Sequence, residues 1–198
     1  MSANPLWGDD WEEVRRLWLL DPEVAHCNHG SFGAVPAPVL AAQDEFRSRM
    51  VANPMRWFHH DVPGLIVEAR SEIARFIEAE PDDTALVLNV TTGVSAVLAS
   101  FPLKPGDQVV TTDHIYGAVS IAVDQACQRS GAERVVARFA ADADDDQILA
   151  AVAGCCGPNT RLVVIDHVTS ATAKLLPVEA LAAMAHERGA AILVDAAH

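Results

Sequence analysis

The chain has 198 residues, 51% of them hydrophobic and 21% charged, with a formal net charge of −13 and a pI near 4.8. That is enough apolar sequence to build a core and argues against wholesale disorder. The acidity argues against a nucleic-acid binder, which needs a basic face.

No apolar run approaches the ~18 residues of a membrane span, and the polar, acidic start does not resemble a signal peptide. The cysteines, Cys27, Cys127, Cys155 and Cys156, lack C-x-x-C spacing. They fit a reduced, cytoplasmic protein.

In chain order, a first helix is predicted within residues 1–20, with Asp10 as its cap, Glu13 completing a capping box, and Trp11, Val14 and Trp18 on one face. Residues 21–38 read as loop, carrying Asn28-His29-Gly30-Ser31-Phe32-Gly33. A helix over 39–50 follows, then an irregular stretch over 53–63. An amphipathic helix spans 65–78, with Leu65, Ala69, Ile73, Phe76 and Ile77 on one stripe. We expect a division into an N-terminal arm and substrate-side segment, 1–64, and an α/β domain, 65–198.

From Pro81 the pattern alternates. Strands are predicted at 85–89, 108–112, 134–139, 161–166 and 190–195. Helices are predicted at 92–100, 118–129, 145–153 and 178–188. Short apolar strands separated by helices indicate βαβ units and a mostly parallel sheet with flanking helices. The acidic group Asp142, Asp144, Asp145 and Asp146 reads as a solvated loop before a helix rather than a metal site. No metal ligand set is expected.

In such sheets ligands bind at the carboxyl ends of the strands, and four of these ends carry chemistry. Asn89-Val90-Thr91-Thr92-Gly93 brings hydroxyls and a helix start together, which suits either an anion or a simple N-cap. Asp113-His114-Ile115-Tyr116-Gly117 offers two rings that could stack on a flat ligand or merely cap a loop. Asp166-His167-Val168-Thr169-Ser170 supplies a histidine and hydroxyls, or local turn bonds. Val194-Asp195-Ala196-Ala197-His198 ends a buried strand in an Asp that needs a partner. A phosphorylated, cationic, flat ring satisfies all four. There is no G-x-G-x-x-G and no G-x-x-x-x-G-K, so a Rossmann or P-loop nucleotide site is disfavoured.

Together with Asn53-Pro54-Met55-Arg56-Trp57-Phe58, these runs resemble the class V aminotransferase family of pyridoxal-phosphate (PLP) fold type I. They are most similar to its isopenicillin-N-epimerase-like and C–S lyase branch. The resemblance implies pyridoxal 5′-phosphate as cofactor. The chemistry would be that of a lyase, epimerase or aminotransferase, acting on a small amino acid through an aldimine and a carbanion.

It further implies phosphate binding by Thr91, Thr92 and Gly93. His114 would stack on the ring, with Tyr116 as the alternative, and Asp195 would pair with the pyridine nitrogen. Asp166, Ser170 and His198 would lie beside the cofactor, with His114, His198 and Asp195 taking the catalytic roles. Asn28, His29 and Arg56 would face the substrate. A homodimer is implied.

The family's Schiff-base lysine falls a few tens of residues beyond the last-strand Asp, and neither Lys104 nor Lys174 occupies that place. We therefore expect the lysine and the C-terminal small domain to lie outside this sequence. They would belong to a longer chain or to a complementary C-terminal chain, with this segment inactive alone. A non-catalytic binding partner is the other expectation.

Overall fold

A computed structural model describes residues 11–30 and 32–198. The expected cap Asp10, the side chain of Trp11 and Ser31 lie outside the described residues. The chain divides into two compact units, 1–86 and 87–198.

The first unit is helical. Helix α1 (Trp11–Arg15) is followed by α2 (Ala37–Ala52). The intervening loop is tied down by an isolated bridge between Trp18 and Pro36 and by the Trp18 indole N–H, which donates to the Ala34 carbonyl (3.2 Å).

The stretch over 53–63, expected to be irregular because of Pro54 and Pro63, is helical instead. Asn53 caps the short α3 (Pro54–Arg56) by accepting the Arg56 N–H (3.1 Å). Pro54 sits at a first-turn position, where no N–H is needed. A π-turn, Trp57–Asp61, then leads into α4 (Val62–Phe76), with the Val62 N–H reaching back to Trp57. Widening the ladder just before Pro63, which has no N–H to donate, lets the helix continue.

Trp57 is buried, in contact with Phe46 and under the Arg49 guanidinium. Much of the predicted stripe of α4 stays open, with Ile73, Phe76 and Ile77 exposed.

The second unit is the α/β part. Its sheet consists of β1 (Gln108–Thr112), β2 (Glu133–Ala137), β3 (Thr160–Asp166) and β4 (Ala191–Asp195). The order is β2-β1-β3-β4 and every pairing is parallel.

Helices α5 (Val90–Ser100) and α6 (Gly117–Ser130) share a cluster with Val109, Leu162 and Val164 on one face. Helices α7 (Asp145–Cys155) and α8 (Val178–Glu187) contribute Ile148, Val152, Leu181 and Met184 to the other face, against Val110, Val163 and Ile165. Alternate residues of β3 thus enter opposite clusters. A strand covered on both sides must be apolar throughout, and Thr160–Asp166 is almost completely buried.

The predicted strand over 85–89 does not form. These residues have strand-like composition, but no strand pairs with them among the described residues, and Leu88 is 93% exposed. A strand exists only as part of a ladder, so propensity without a neighbour leaves unpaired chain.

The acidic run begins α7. Asp144 accepts the Gln147 N–H (2.8 Å), and the Gln147 side chain accepts the Asp144 N–H (2.9 Å), a complete capping box.

Candidate active site

The site is assembled at the carboxyl edge of the sheet by strand register. Asp166 and Asp195 are the last residues of β3 and β4 and are direct register partners. Side chains alternate along a strand, so both project to the side of Leu162, Val164, Ala191 and Leu193, the face that α5 and α6 cover. They are 3% and 5% exposed.

One oxygen of Asp166 accepts the Tyr116 backbone N–H (3.3 Å). Its other oxygen, Oδ2, is buried with no partner among the described residues. Burial pushes the Asp166 carboxyl up to about 6. The Tyr116 N–H opposes the rise, Asp195 adds to it, and His114 offsets part of it. Asp195 is held by its own loop, its Oδ1 accepting the Ala197 N–H (3.1 Å) and its carbonyl accepting the His167 N–H (2.7 Å).

His114 has a defined setting. Its Nε2 lies 3.0 Å from the Phe139 carbonyl, which only accepts, so Nε2 carries the proton. In the neutral ring Nδ1 is then the acceptor. Its ring stacks on Phe139, with centroids 4.5 Å apart and planes 16° from parallel. One face of the imidazole is therefore occupied, and a second ring must use the other.

Phe139 is the site residue that sequence reasoning missed. The available signal was its position just past the end of β2, an aromatic ring at the same edge. Tyr116 contributes its backbone rather than its ring, which is 46% exposed.

The N terminus of α5 is capped by Asn89, not by either threonine. The Asn89 Oδ1 accepts both the Thr92 N–H (2.8 Å) and the Thr92 hydroxyl (3.0 Å), and the Gly93 N–H donates to the Asn89 carbonyl (3.1 Å). The groups left for an anion are the Thr91 hydroxyl and the N–H groups of Val90 and Thr91, which have no acceptor within the helix. A Cβ at Gly93 would sit 3.4 Å from Val87 Cγ2, so the glycine keeps this turn close to the preceding segment. Replacing Asn89 with Ala is expected to cost about 1 kcal/mol, read as a lower denaturation midpoint.

Ser170 and His198 are exposed. Buried Thr169, rather than Ser170, organises the loop after β3: its Oγ1 lies 2.6 Å from that of Thr172 and accepts the Lys174 N–H (2.9 Å).

In the first unit, Asn28 and His29 lie in an exposed loop. The His29 ring meets His26 edge-on, and its Nδ1 accepts the Ala34 N–H (3.4 Å). Arg56 is exposed, with Nε 3.5 Å from Asp61.

Neither lysine lies among these groups. Lys104 is exposed in the turn before β1, at the opposite edge of the sheet. Lys174 is not freely solvated: its ammonium donates to the Ala143 carbonyl. Burial pushes the thiols of Cys127 and Cys156 up, which keeps them neutral and poorly nucleophilic. Among the described residues no helix is long and apolar enough to cross a membrane.

Comparison with known proteins bears on this arrangement. The family model Aminotransferase class-V matches residues 33–198. The chain is 35% identical to isopenicillin N epimerase of Streptomyces clavuligerus, covering 96% of this chain and 48% of that protein. It is 31% identical to a probable chloroplastic L-cysteine desulfhydrase of Arabidopsis thaliana, covering 90% and 41%.

Among solved structures, it is similar to a lysine-to-alanine mutant of C-DES with glycine covalently linked to the PLP cofactor. The TM-score is 0.81 and the identity 26%, over 89% of this chain and 48% of that one. The chain thus spans about half the length of the relatives it matches. Its α/β unit has the architecture of PLP fold type I. The chain belongs to the class V aminotransferase family.

Proposed function

We propose that this chain carries the cofactor-binding part of a pyridoxal-phosphate enzyme acting on a small amino acid. The observation that carries the proposal is the pair of buried carboxylates at the ends of β3 and β4, one with an oxygen unpartnered among the described residues. Buried negative charge without a cation is costly, and a protonated heteroaromatic nitrogen is a cation that a flat ring can bring to it. The donor set fits the rest of the cofactor. The start of α5 offers N–H groups and a hydroxyl for phosphate, and His114, braced by Phe139, offers a ring face.

When bound, pyridoxal phosphate supplies an electron sink for charge developing at the substrate's α-carbon. The chain's own residues would do the following. Asp195 holds the ring nitrogen's proton. The Thr91 hydroxyl and the N–H groups of Val90 and Thr91 hold the phosphate, at the turn that Thr92 and Gly93 complete. His114 covers one ring face. Ser170 and His198 would border the cofactor, and His198 would move a proton. Asn28, His29 and Arg56 serve the substrate side, with 1–64 as its segment and 65–198 as the cofactor domain. The lysine comes from outside these residues, in a longer chain or a complementary one.

We assign lyase, epimerase or aminotransferase chemistry in a cytoplasmic homodimer. The support for the chemistry is the family membership and two kinds of relative, an epimerase and a cysteine desulfhydrase.

The test is ring binding. Replacing Asp195 with Ala leaves a cationic ring without its buried counter-charge, a loss on the order of 3–5 kcal/mol. Affinity for pyridoxal phosphate, read by equilibrium dialysis, is expected to fall about 100-fold or more. Unchanged affinity would remove the proposed orientation. Reduction with borohydride followed by intact-mass measurement then locates the lysine: an adduct on a longer native chain supports a single-chain enzyme, and an adduct on a partner supports a split one.

A further inference from the structure

We propose that Asp166 is a positioning residue that adds a second negative charge beside Asp195, so that this edge of the sheet selects a ring whose nitrogen carries a proton. The proposal rests on the cofactor reading above and assigns Asp166 a task of its own.

Three observations support it. Asp166 and Asp195 end adjacent parallel strands in direct register and face the same way. Both are almost fully buried. Asp166 spends one oxygen on the Tyr116 N–H and leaves Oδ2 unpartnered among the described residues. A buried carboxylate oxygen without a donor carries a desolvation cost, and a neighbouring cation relieves it through space even where it bonds directly only to Asp195.

The surroundings contain few other charges. From β4 the facing group is Asp195, and from the loop after β1 it is His114, with Asp113 3.7 Å from His114 Nε2. Of the two helices that cover this face, α5 has no titratable residue along Val90–Ser100, and α6 carries Asp124, Cys127 and Arg129 along Gly117–Ser130. On the strand's own continuation, His167 is exposed.

Burial holds Asp166 at about 6, so Asp166 adds its negative charge to this edge above that pH and loses it below. A bound cation favours the doubly charged form. Cation binding near pH 5.5 must therefore expel the Asp166 proton, and affinity must rise with pH until that proton is gone. The gain is about 10-fold for each pH unit by which the cation lowers the Asp166 titration.

The probe is 4′-deoxypyridoxine 5′-phosphate, which has the ring and phosphate but no aldehyde and so needs no lysine. It is titrated by calorimetry into the full chain between pH 5 and 7.5, in two buffers of different ionisation enthalpy. The unaltered chain, Asp166→Asn and Asp166→Glu are compared, each verified as folded by circular dichroism. The free probe titrates identically in all three series, so differences between them report the residue at position 166.

The unaltered chain is expected to gain about 10-fold or more in affinity over Asp166→Asn between pH 5 and 7. It should also release up to one additional proton near pH 5.5, and Asp166→Glu should restore both. An Asp166→Asn chain with the same pH limb and proton release overturns the proposal alone. No binding by the unaltered chain at any pH overturns the cofactor reading and this proposal with it.

Discussion

Truncating Leu181 to Ala is expected to lower the stability of the α/β unit by about 2–5 kcal/mol. Leu181 is fully buried in the cluster beneath β3 and β4, alongside Ile165, Met184 and Ala185. Its loss removes apolar contact and leaves a void that close-packed neighbours fill only in part. Since domains are stable by only about 5–15 kcal/mol, this is a large fraction of the total. Urea denaturation monitored by circular dichroism should show a lower midpoint. Leu175→Ala is the control: that side chain is 61% exposed, and its truncation should shift stability by less than about 0.5 kcal/mol. Equal losses at the two positions would show that the cluster is not the core of the unit. The effect should also reach the site, because α8 packs on β4, the strand that ends in Asp195.

The second large effect is a pH dependence with an unusual sign. Asp166 titrates at about 6 in the folded chain against an ordinary 3.8. Between those values the folded state binds the proton more tightly than the unfolded state does. The stability it contributes is fully present below about pH 4 and is lost as pH rises through about 6. The interval from 3.8 to about 6 corresponds to roughly 3 kcal/mol.

Most paired carboxylates behave in the opposite way, stabilising above their titration. Asp166→Asn should therefore be more stable than the unaltered chain at pH 8 by up to roughly 3 kcal/mol, with the difference vanishing near pH 4. Thermal melts of both proteins across that range are the check. A difference independent of pH would mean the amide acts through packing rather than charge. A substitution that stabilises the ligand-free fold while weakening cation binding is the trade expected of a residue kept for function.

Much of the α/β unit could be read from the residues alone. Strand β1 spans the residues predicted for it, and the other three strands and their helices differ by at most two residues at any end. These segments are long in apolar or β-branched residues and are bounded by glycine or proline turns, so local pattern and global burial agree. The register that pairs Asp166 with Asp195 was not legible, because it depends on which strands become neighbours. Nor was the ring of Phe139 beneath His114, a contact between residues 25 positions apart in two loops.

The sequence by itself determined the class: a parallel sheet with helices on both faces, and donors, rings and carboxylates gathered at the strand ends, as alternating patterns and turn residues dictate. Tertiary structure decided the rest. The 85–89 segment formed no strand because a ladder needs a neighbour, and 53–63 became helical because first-turn prolines and a widened turn remove the need for the missing N–H groups. Asn89 took the capping role from the threonines because its side chain reaches the Thr92 N–H and hydroxyl together. Asp166 acquired its shifted titration from burial that only the packed β3–β4 edge provides.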